Sequence, residues 1–324
     1  MLRFIGKRLL LMIPVLLGIT IVVQLLIEIT PGDPVILMLG AKATPERVEE
    51  VREQMGFNDP LAVRYLRYMR NLFKGDFGAS LMTKRSVFDE MIQRFPYTLM
   101  LVSFVMILSL LFGIPLGVFA ATHQATWKDN VAMFAALFCV SMPGFWFALM
   151  LVQQFAVKWR WLPLAGVSSW KGWVLPIVAL ALGNTAIVAR QTRSNLLEVI
   201  RQDYITTARA KGLGEGKVIY RHALKNALIP VIMVVGGVFG TLLGGVLILE
   251  VIFSVPGLGY YTMTGLSNRD YPIIQSSVLI LSALFAVVIL IVDILFALVD
   301  PRIRSQFARK DKKKSSRKKG GIEA

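Results

Sequence analysis

The run GLGEGKV at 212–218 is the stretch of this chain that comes nearest to a phosphate-binding loop. Such a loop needs backbone N–H groups curled around the phosphates, a lysine for their charge and a hydroxyl for Mg²⁺. In the G-x-x-x-x-G-K-[ST] frame the first glycine falls on Lys211 and the hydroxyl on Val218, so both fail. The run is also GxGxGK where a dinucleotide turn needs GxGxxG. His123 and His222 are the only histidines and stand far apart, which argues against a histidine-built metal site. Cys139 is the only cysteine, so no disulfide forms within the chain. No nucleophile–base pair is visible in the apolar segments. The residues point to a mechanical role, and the elements that place them come next.

Those elements are set by a strongly apolar composition. Of 324 residues 55% are hydrophobic and 17% charged, with a mean hydropathy of +0.62; a soluble domain carries roughly 25% charge. The charge is also unevenly spread. Residues 9–27, 98–121, 131–157, 173–189, 227–251 and 273–299 contain only Glu250 and Asp293 as charged residues. A helix crossing about 30 Å of hydrocarbon needs about 20 apolar residues. The pattern predicts an all-α integral membrane protein with six transmembrane helices.

All 36 Lys and Arg lie outside those stretches, and they set the orientation. Arg3, Lys7 and Arg8, then Lys128, then the dense sets in 190–226 and beyond residue 299 fall on one side. Among short loops the other side keeps Lys158, Arg160, Lys171 and Arg269. The positive-inside rule counts short loops and ignores long ones such as 28–97, so both termini are expected in the cytoplasm and 28–97 outside. The first apolar run continues into EITP without a small-x-small cleavage site, so it reads as a retained anchor. The net charge of +16 invites a nucleic-acid reading. Its main concentration, RKDKKKSSRKK at 309–319, has no aromatic residue to stack on bases. It reads as a disordered topogenic tail near anionic lipid.

Segment 28–97 carries helix signals. Thr44 followed by Pro45 and Glu46 is an N-cap with a first-turn proline and acid, and Gly56 stops the run. Asp59 and Pro60 open a second helix closed by Gly75. Ser86 to Asp89 resembles a capping box and starts a third short helix expected to end near Pro96.

The strongest functional signal lies in 190–226. Asp203 is expected as an N-cap, Tyr204 to Lys211 as a short helix, and Gly212 as its stop. Thr206, Thr207, Ala208 and Ala210 are expected along its surface, making a small, basic crosspiece that suits a groove on a soluble partner. Glu215 then leads a second helix into Pro230 and the fifth span. Within that span Gly236, Gly240 and Gly244 stack on one helix face, either for close packing or to line a path. Asn184 is a further path-lining candidate, and Gly113 with Gly117 repeats the small-residue spacing. An ion-coupled carrier usually keeps ionisable residues near the midplane. Here Glu250 is expected at an outer end and Asp293 near the inner end, so a gradient has no evident residue to act on.

The runs DY (203–204), ARAKGL (208–213) and RHALKNA (221–227) resemble the cytoplasmic loop of binding-protein-dependent ABC importer permeases, in the oligopeptide, dipeptide and nickel subgroup. Supporting stretches are TPGDP (30–34), GDFGAS (75–80), SMPGFW (141–146), WLP (161–163), EVIFSVPGLG (250–259), NRDYP (268–272) and DPR (300–302). The superfamily loop reads Glu-Ala-Ala-x3-Gly and later Ile-x-Leu-Pro. Aligned on Gly212, this chain has Thr206, Thr207 and Ala208, then His222, Ala223, Leu224 and Lys225. The glutamate is absent.

The resemblance implies a type I ABC importer permease fold in a bacterial or archaeal inner membrane. It implies that Asp203, Tyr204, Thr206, Thr207, Ala208, Arg209, Ala210, Lys211 and Gly212 form the ATPase-coupling element. It implies as partners a second, related permease, two ATPase subunits and an extracytoplasmic solute-binding protein. This chain would bind no cofactor, ATP being used by the partners, and would be no enzyme itself. The solute it implies is a peptide, with nickel as an alternative. The expected organisation is 1–97 as a first transmembrane helix with an extracytoplasmic helical segment, 98–300 as a five-helix core, and 301–324 as a basic tail. The orientation is checked by reporter fusions: those joined after Lys84 should be active only outside the cell, and those joined after Lys211 only inside. The reverse pattern overturns it.

Overall fold

A computed structural model describes residues 2–299; the basic tail, and with it the DPR stretch, lies outside the described residues. Fourteen α-helices follow in order: α1 Leu2–Ile29, α2 Pro34–Leu39, α3 Pro45–Met55, α4 Leu61–Phe73, α5 Val87–Thr122, α6 Trp127–Ser141, α7 Gly144–Leu151, α8 Trp170–Ile200, α9 Asp203–Ala210, α10 Glu215–Lys217, α11 Leu224–Gly245, α12 Leu247–Ile252, α13 Leu258–Ser267 and α14 Tyr271–Val299. Two wider π-turns, Val152–Lys158 and Val218–Ala223, continue α7 and lead into α11. Among the described residues the only β pairing is an isolated bridge between Ala79 and Ser86.

Backbone polar groups find no water in hydrocarbon, so a spanning segment must satisfy them within itself, as a helix does. Among the described residues five helices meet that demand in length and apolarity: Ile5–Ile29, Val87–Thr122, Trp170–Ile200, Glu215–Gly244 and Tyr271–Leu295. α6 and α7 with its π extension make a sixth when counted together, but they bend by 95° at their junction. The sequence reading of 131–157 as one run is corrected there. Pro143 (φ −59°, ψ 126°) lacks an N–H and pushes the preceding residue out of the helical region. The expected break at Pro96 does not occur, and α5 runs through it for 36 residues. Conversely 227–251 is not one helix, because α11 ends at Gly245 and the chain restarts as α12. Leu10, Ile13, Val22 and Leu26 on α1 and Phe134 and Phe138 on α6 are exposed, as lipid-facing side chains must be. Trp159 and Trp161, rings 4.5 Å apart, add the exposed aromatics that favour a membrane–water boundary.

The described chain divides into two compact units, the first comprising residues 2–107, Met142–Ala181 and Gly240–Ala286, and the second Leu108–Ser141, Leu182–Phe239 and residues 287–299. In the first unit, Thr44 caps α3 by accepting from Arg47 N, and Gly56 ends it at φ +67°. Asp33 caps α2 at Val35 N and takes Arg52 at 3.0 and 2.6 Å, joining α2 to α3 over buried Val35, Val48 and Val51. α4 leans on α1 through a Thr20–Tyr65 hydroxyl contact of 2.9 Å and a Glu28–Arg64 ion pair.

The same unit holds a fully buried carboxylate. Glu250 accepts from Thr98 Oγ1 at 2.6 Å and from Tyr260 N at 2.9 Å, with a further backbone bond from Gly259. Thr98 Oγ1 in turn accepts from Leu258 N at 2.8 Å. The N–H groups that α13 leaves free in its first turn are thus taken by one acid and one hydroxyl. A side chain on Gly257 would place Cβ 2.3 Å from Glu250 Oε1, and one on Gly259 would meet Leu247 Cα at 2.6 Å. This explains VPGLG as a close approach. Thr98→Val removes one donor to the acid and one acceptor for Leu258 N. It is expected to cost about 1–3 kcal/mol, read as a lower melting temperature of the detergent-solubilised protein. Thr122→Val, at an exposed position and losing only bonds to its own helix and to the adjacent His123, should leave that temperature nearly unchanged.

Candidate functional site

The second unit carries the short crosspiece. An α-helix of eight residues is about 12 Å long and too short to stand alone in water, so α9 must be held by its surroundings. Ile205 is fully buried and Ala208 nearly so, in a cluster with Val118 and Ala121 of α5, Leu196 of α8, Val218, Ile219 and Ala223 of the π-turn, and Ala227 of α11. The two residues sit at i and i+3, one face of a helix. Asp203 is the first helical residue rather than the cap; Gln202 occupies the cap and makes no side-chain bond there. Asp203 still places an acid in the first turn, where the helix end favours it.

Polar contacts fix the rest. Arg209 meets the Glu215 carboxylate with Nε at 3.0 Å and Nη2 at 2.7 Å, across the turn that Gly212 makes at φ +76°. The bonded carboxylate holds the Arg209 guanidinium above its ordinary value. Asn226 Nδ2 donates to Tyr204 Oη at 2.8 Å, tying the start of α9 to α11. Thr207 Oγ1 turns back to Asp203 O at 2.9 Å.

The frame beneath α9 is packed closely. Cβ atoms on Gly113 and Gly117 would lie 2.8 Å from Thr185 O and 2.5 Å from Ala189 O, so α5 and α8 meet backbone to backbone. Arg193 grips Asp129 through Nε and Nη2, each at 2.6 Å, and joins α8 to the start of α6. That pair is largely buried on the acid side, where geometry of this kind is needed to offset lost hydration.

The expected coupling residues therefore lie together on α9 and the turn that leaves it, but they do not all face outward. Asp203, Tyr204, Thr206, Thr207, Arg209, Ala210, Lys211 and Gly212 are exposed. Ala208 faces the core, which corrects its expected place on the surface. Sequence reasoning missed the anchoring role of Ile205, the pairing of Glu215 with Arg209 and that of Asn226 with Tyr204. Ile205 was legible as the branched apolar residue of the helix, and Glu215 as an acid just beyond the glycine stop.

The path candidates lie on other elements. Asn184 is half-buried on α8. Of the glycines on α11, Gly236 packs against Val292, whose Cγ2 would be 2.2 Å from an added Cβ. Gly240 is buried, while Gly244 is exposed with open space around its Cβ direction. Close packing accounts for the first of the three. Among the described residues no cluster of His, Cys, Asp and Glu has the arrangement of a metal site.

Comparison with known proteins identifies the family. Residues 113–305 match the family described as binding-protein-dependent transport system inner membrane component, and residues 1–102 match its N-terminal membrane-component family. The chain is 42% identical to the dipeptide transport system permease protein DppB of Alkalihalophilus pseudofirmus, over 94% of this chain and 100% of that one. It is 40% identical to the glutathione transport system permease protein GsiC of Escherichia coli strain K12, over 94% of this chain and 99% of that one. In fold it resembles the inward-facing MetNI methionine ABC transporter, with a TM-score of 0.56 at 18% identity over 65% of this chain and 96% of the other. With that match running along the chain and the apolar helices in place, this protein belongs to the binding-protein-dependent transport system inner membrane components, as a multi-pass permease.

Proposed function

We propose that this chain is the permease subunit of an ATP-binding-cassette importer for peptides, and that α9 is the part gripped by its ATPase. The observation that carries the coupling role is the clamped crosspiece: α9 presents Thr206, Thr207 and Ala210 to solvent while Ile205 and Ala208 anchor it to α5, α8 and α11. A push on α9 is then a push on three spans at once. The peptide reading rests on relatives named for dipeptide and glutathione transport.

The working assembly on this reading pairs the chain with a second, related permease, two ATPase subunits and an extracytoplasmic binding protein that delivers the solute. ATP is bound and hydrolysed by the partners. This chain binds no cofactor, catalyses no reaction and touches lipid rather than nucleic acid. Both termini and α9 face the cytoplasm, and 28–97 faces outward. ATP binding draws the two short helices of the permease pair together, and the spans turn from inward- to outward-open.

Two variants separate gripping from anchoring. Thr206→Trp enlarges the exposed face and should cut peptide uptake more than tenfold and weaken ATPase co-purification, at unchanged membrane level and melting temperature. Ile205→Ala should instead lower the melting temperature, because large-to-small core changes cost about 2–5 kcal/mol. Normal uptake by Thr206→Trp would remove α9 from the docking surface.

A further inference from the structure

The helix α4 carries more apolar surface than its own packing uses. Successive residues turn by about 100° round a helix. Tyr65 and Met69 share the side turned to α1, where Thr20 Oγ1 meets Tyr65 Oη at 2.9 Å and Met69 Sδ at 3.9 Å. On the adjoining side Leu66 and Phe73, two turns apart, are 66% and 81% exposed. Beyond them round the helix come Val63, Arg67, Arg70 and Lys74, all exposed. The circumference of α4 thus passes from an anchored edge to an apolar strip and then to a basic row.

The contacts with α1 also fix its height. Arg64 pairs with Glu28 at the last turn of α1, and Thr20 lies about 13 Å before the end of that helix at 1.5 Å per residue. A span crosses about 30 Å of hydrocarbon, so α4 rides along the terminal part of α1, where acyl chains give way to headgroups. Val22, Leu25 and Leu26 of α1 are exposed at this level and face lipid. The cations of the basic row differ in their partners. Arg67 pairs with Asp59, whereas among the described residues no carboxylate pairs with Arg70 or Lys74. These two stand at i and i+4, neighbours on one face.

We propose that α4 is an interfacial helix that holds an anionic phospholipid, the phosphate against Arg70 and Lys74 and the acyl chains against Leu66 and Phe73. A basic row beside an apolar strip is the pattern of a helix lying in the plane of the membrane surface. An anionic headgroup supplies the charge that the two cations lack. A protein neighbour would have to bring carboxylates for both, onto a face that continues the lipid-facing surface of α1. The assignment rests on the chain spanning a membrane, and not on its solute or on α9.

The test puts photoreactive benzoylphenylalanine in place of Phe73 in the full chain. The chain is co-expressed with its partner subunits and held in nanodiscs of equal phosphatidylglycerol and phosphatidylethanolamine. On illumination the adducts should be lipid, with phosphatidylglycerol favoured at least about fivefold, the preference that one surface cation confers. Arg70→Gln combined with Lys74→Gln should bring that ratio to about one. Total lipid adduct and melting temperature should stay unchanged, since neither side chain has a partner in the fold. The ratio should also fall as salt rises, because exposed charges are screened. Adducts to a protein subunit would make the face a protein interface, and absence of adducts would leave it in water. Equal adducts of the two lipids in the chain that keeps Arg70 and Lys74 would remove headgroup selection, and an unchanged ratio in the double variant would place that selection elsewhere. Each of these four outcomes overturns the assignment.

Discussion

An eight-residue helix in water is not stable, and the mechanical reading of this permease depends on how that weakness is met. α9 borrows its stability from tertiary packing. Ile205 and Ala208 enter a cluster shared by three long helices and a π-turn, and the Arg209–Glu215 pair closes the turn behind them. Exposed ion pairs contribute little on their own, about 0–1 kcal/mol. The apolar anchor therefore decides where α9 sits, and the ion pair decides how the chain leaves it. A small helix held at its base yet open along its outer face can receive force without melting.

The first unit solves a different problem with the same economy. A carboxyl removed from water needs partners for its polar atoms, and Glu250 has them because it closes the start of α13. The acid is a structural clasp rather than a station on a proton path: its oxygens are committed to Thr98 and to the backbone of 259–260. The glycines at 257 and 259 are what let the carboxylate come that close. Spacing alone had left this acid at the end of a continuous span. The helix break at Gly245 and the restart as α12 bring it back against α13.

Much of the architecture was legible in the sequence because single residues act locally. Gly56 and Gly212 end helices at positive φ, and Thr44 caps α3, where their types predict. Apolar length marked the spans, and the spacing of Gly113 and Gly117 marked a close helix contact. What was not legible depends on which of two local preferences wins. Pro96 and Pro143 are both helix-breaking types, yet α5 continues through one and the chain turns by 95° at the other. Proline fixes its own φ and removes one donor, but neighbouring packing sets whether the helix resumes on the same axis. Likewise small residues spaced along α9 were read as one surface, although Ala208 shares the inward side with Ile205. A helical period gives a face; only the partner cluster says which face is inside.

The missing glutamate of the superfamily loop acquires a physical sense in this arrangement. Thr206 stands where that pattern has an acid, and it is exposed and uncharged. The nearest strong cation, Arg209, is already neutralised within the chain by Glu215. An ATPase gripping α9 would meet hydroxyls, a methyl group and a tyrosine edge on that face, with Lys211 at its rim, rather than an acid offered for pairing. Contacts of that kind discriminate by shape, and shape is reliable only if the element presenting it cannot tilt. The three-sided anchoring of Ile205 and Ala208, and the bond from Asn226 to Tyr204, supply that rigidity, so the proposed coupling surface, without the usual charge, would place its demand on the packing beneath it.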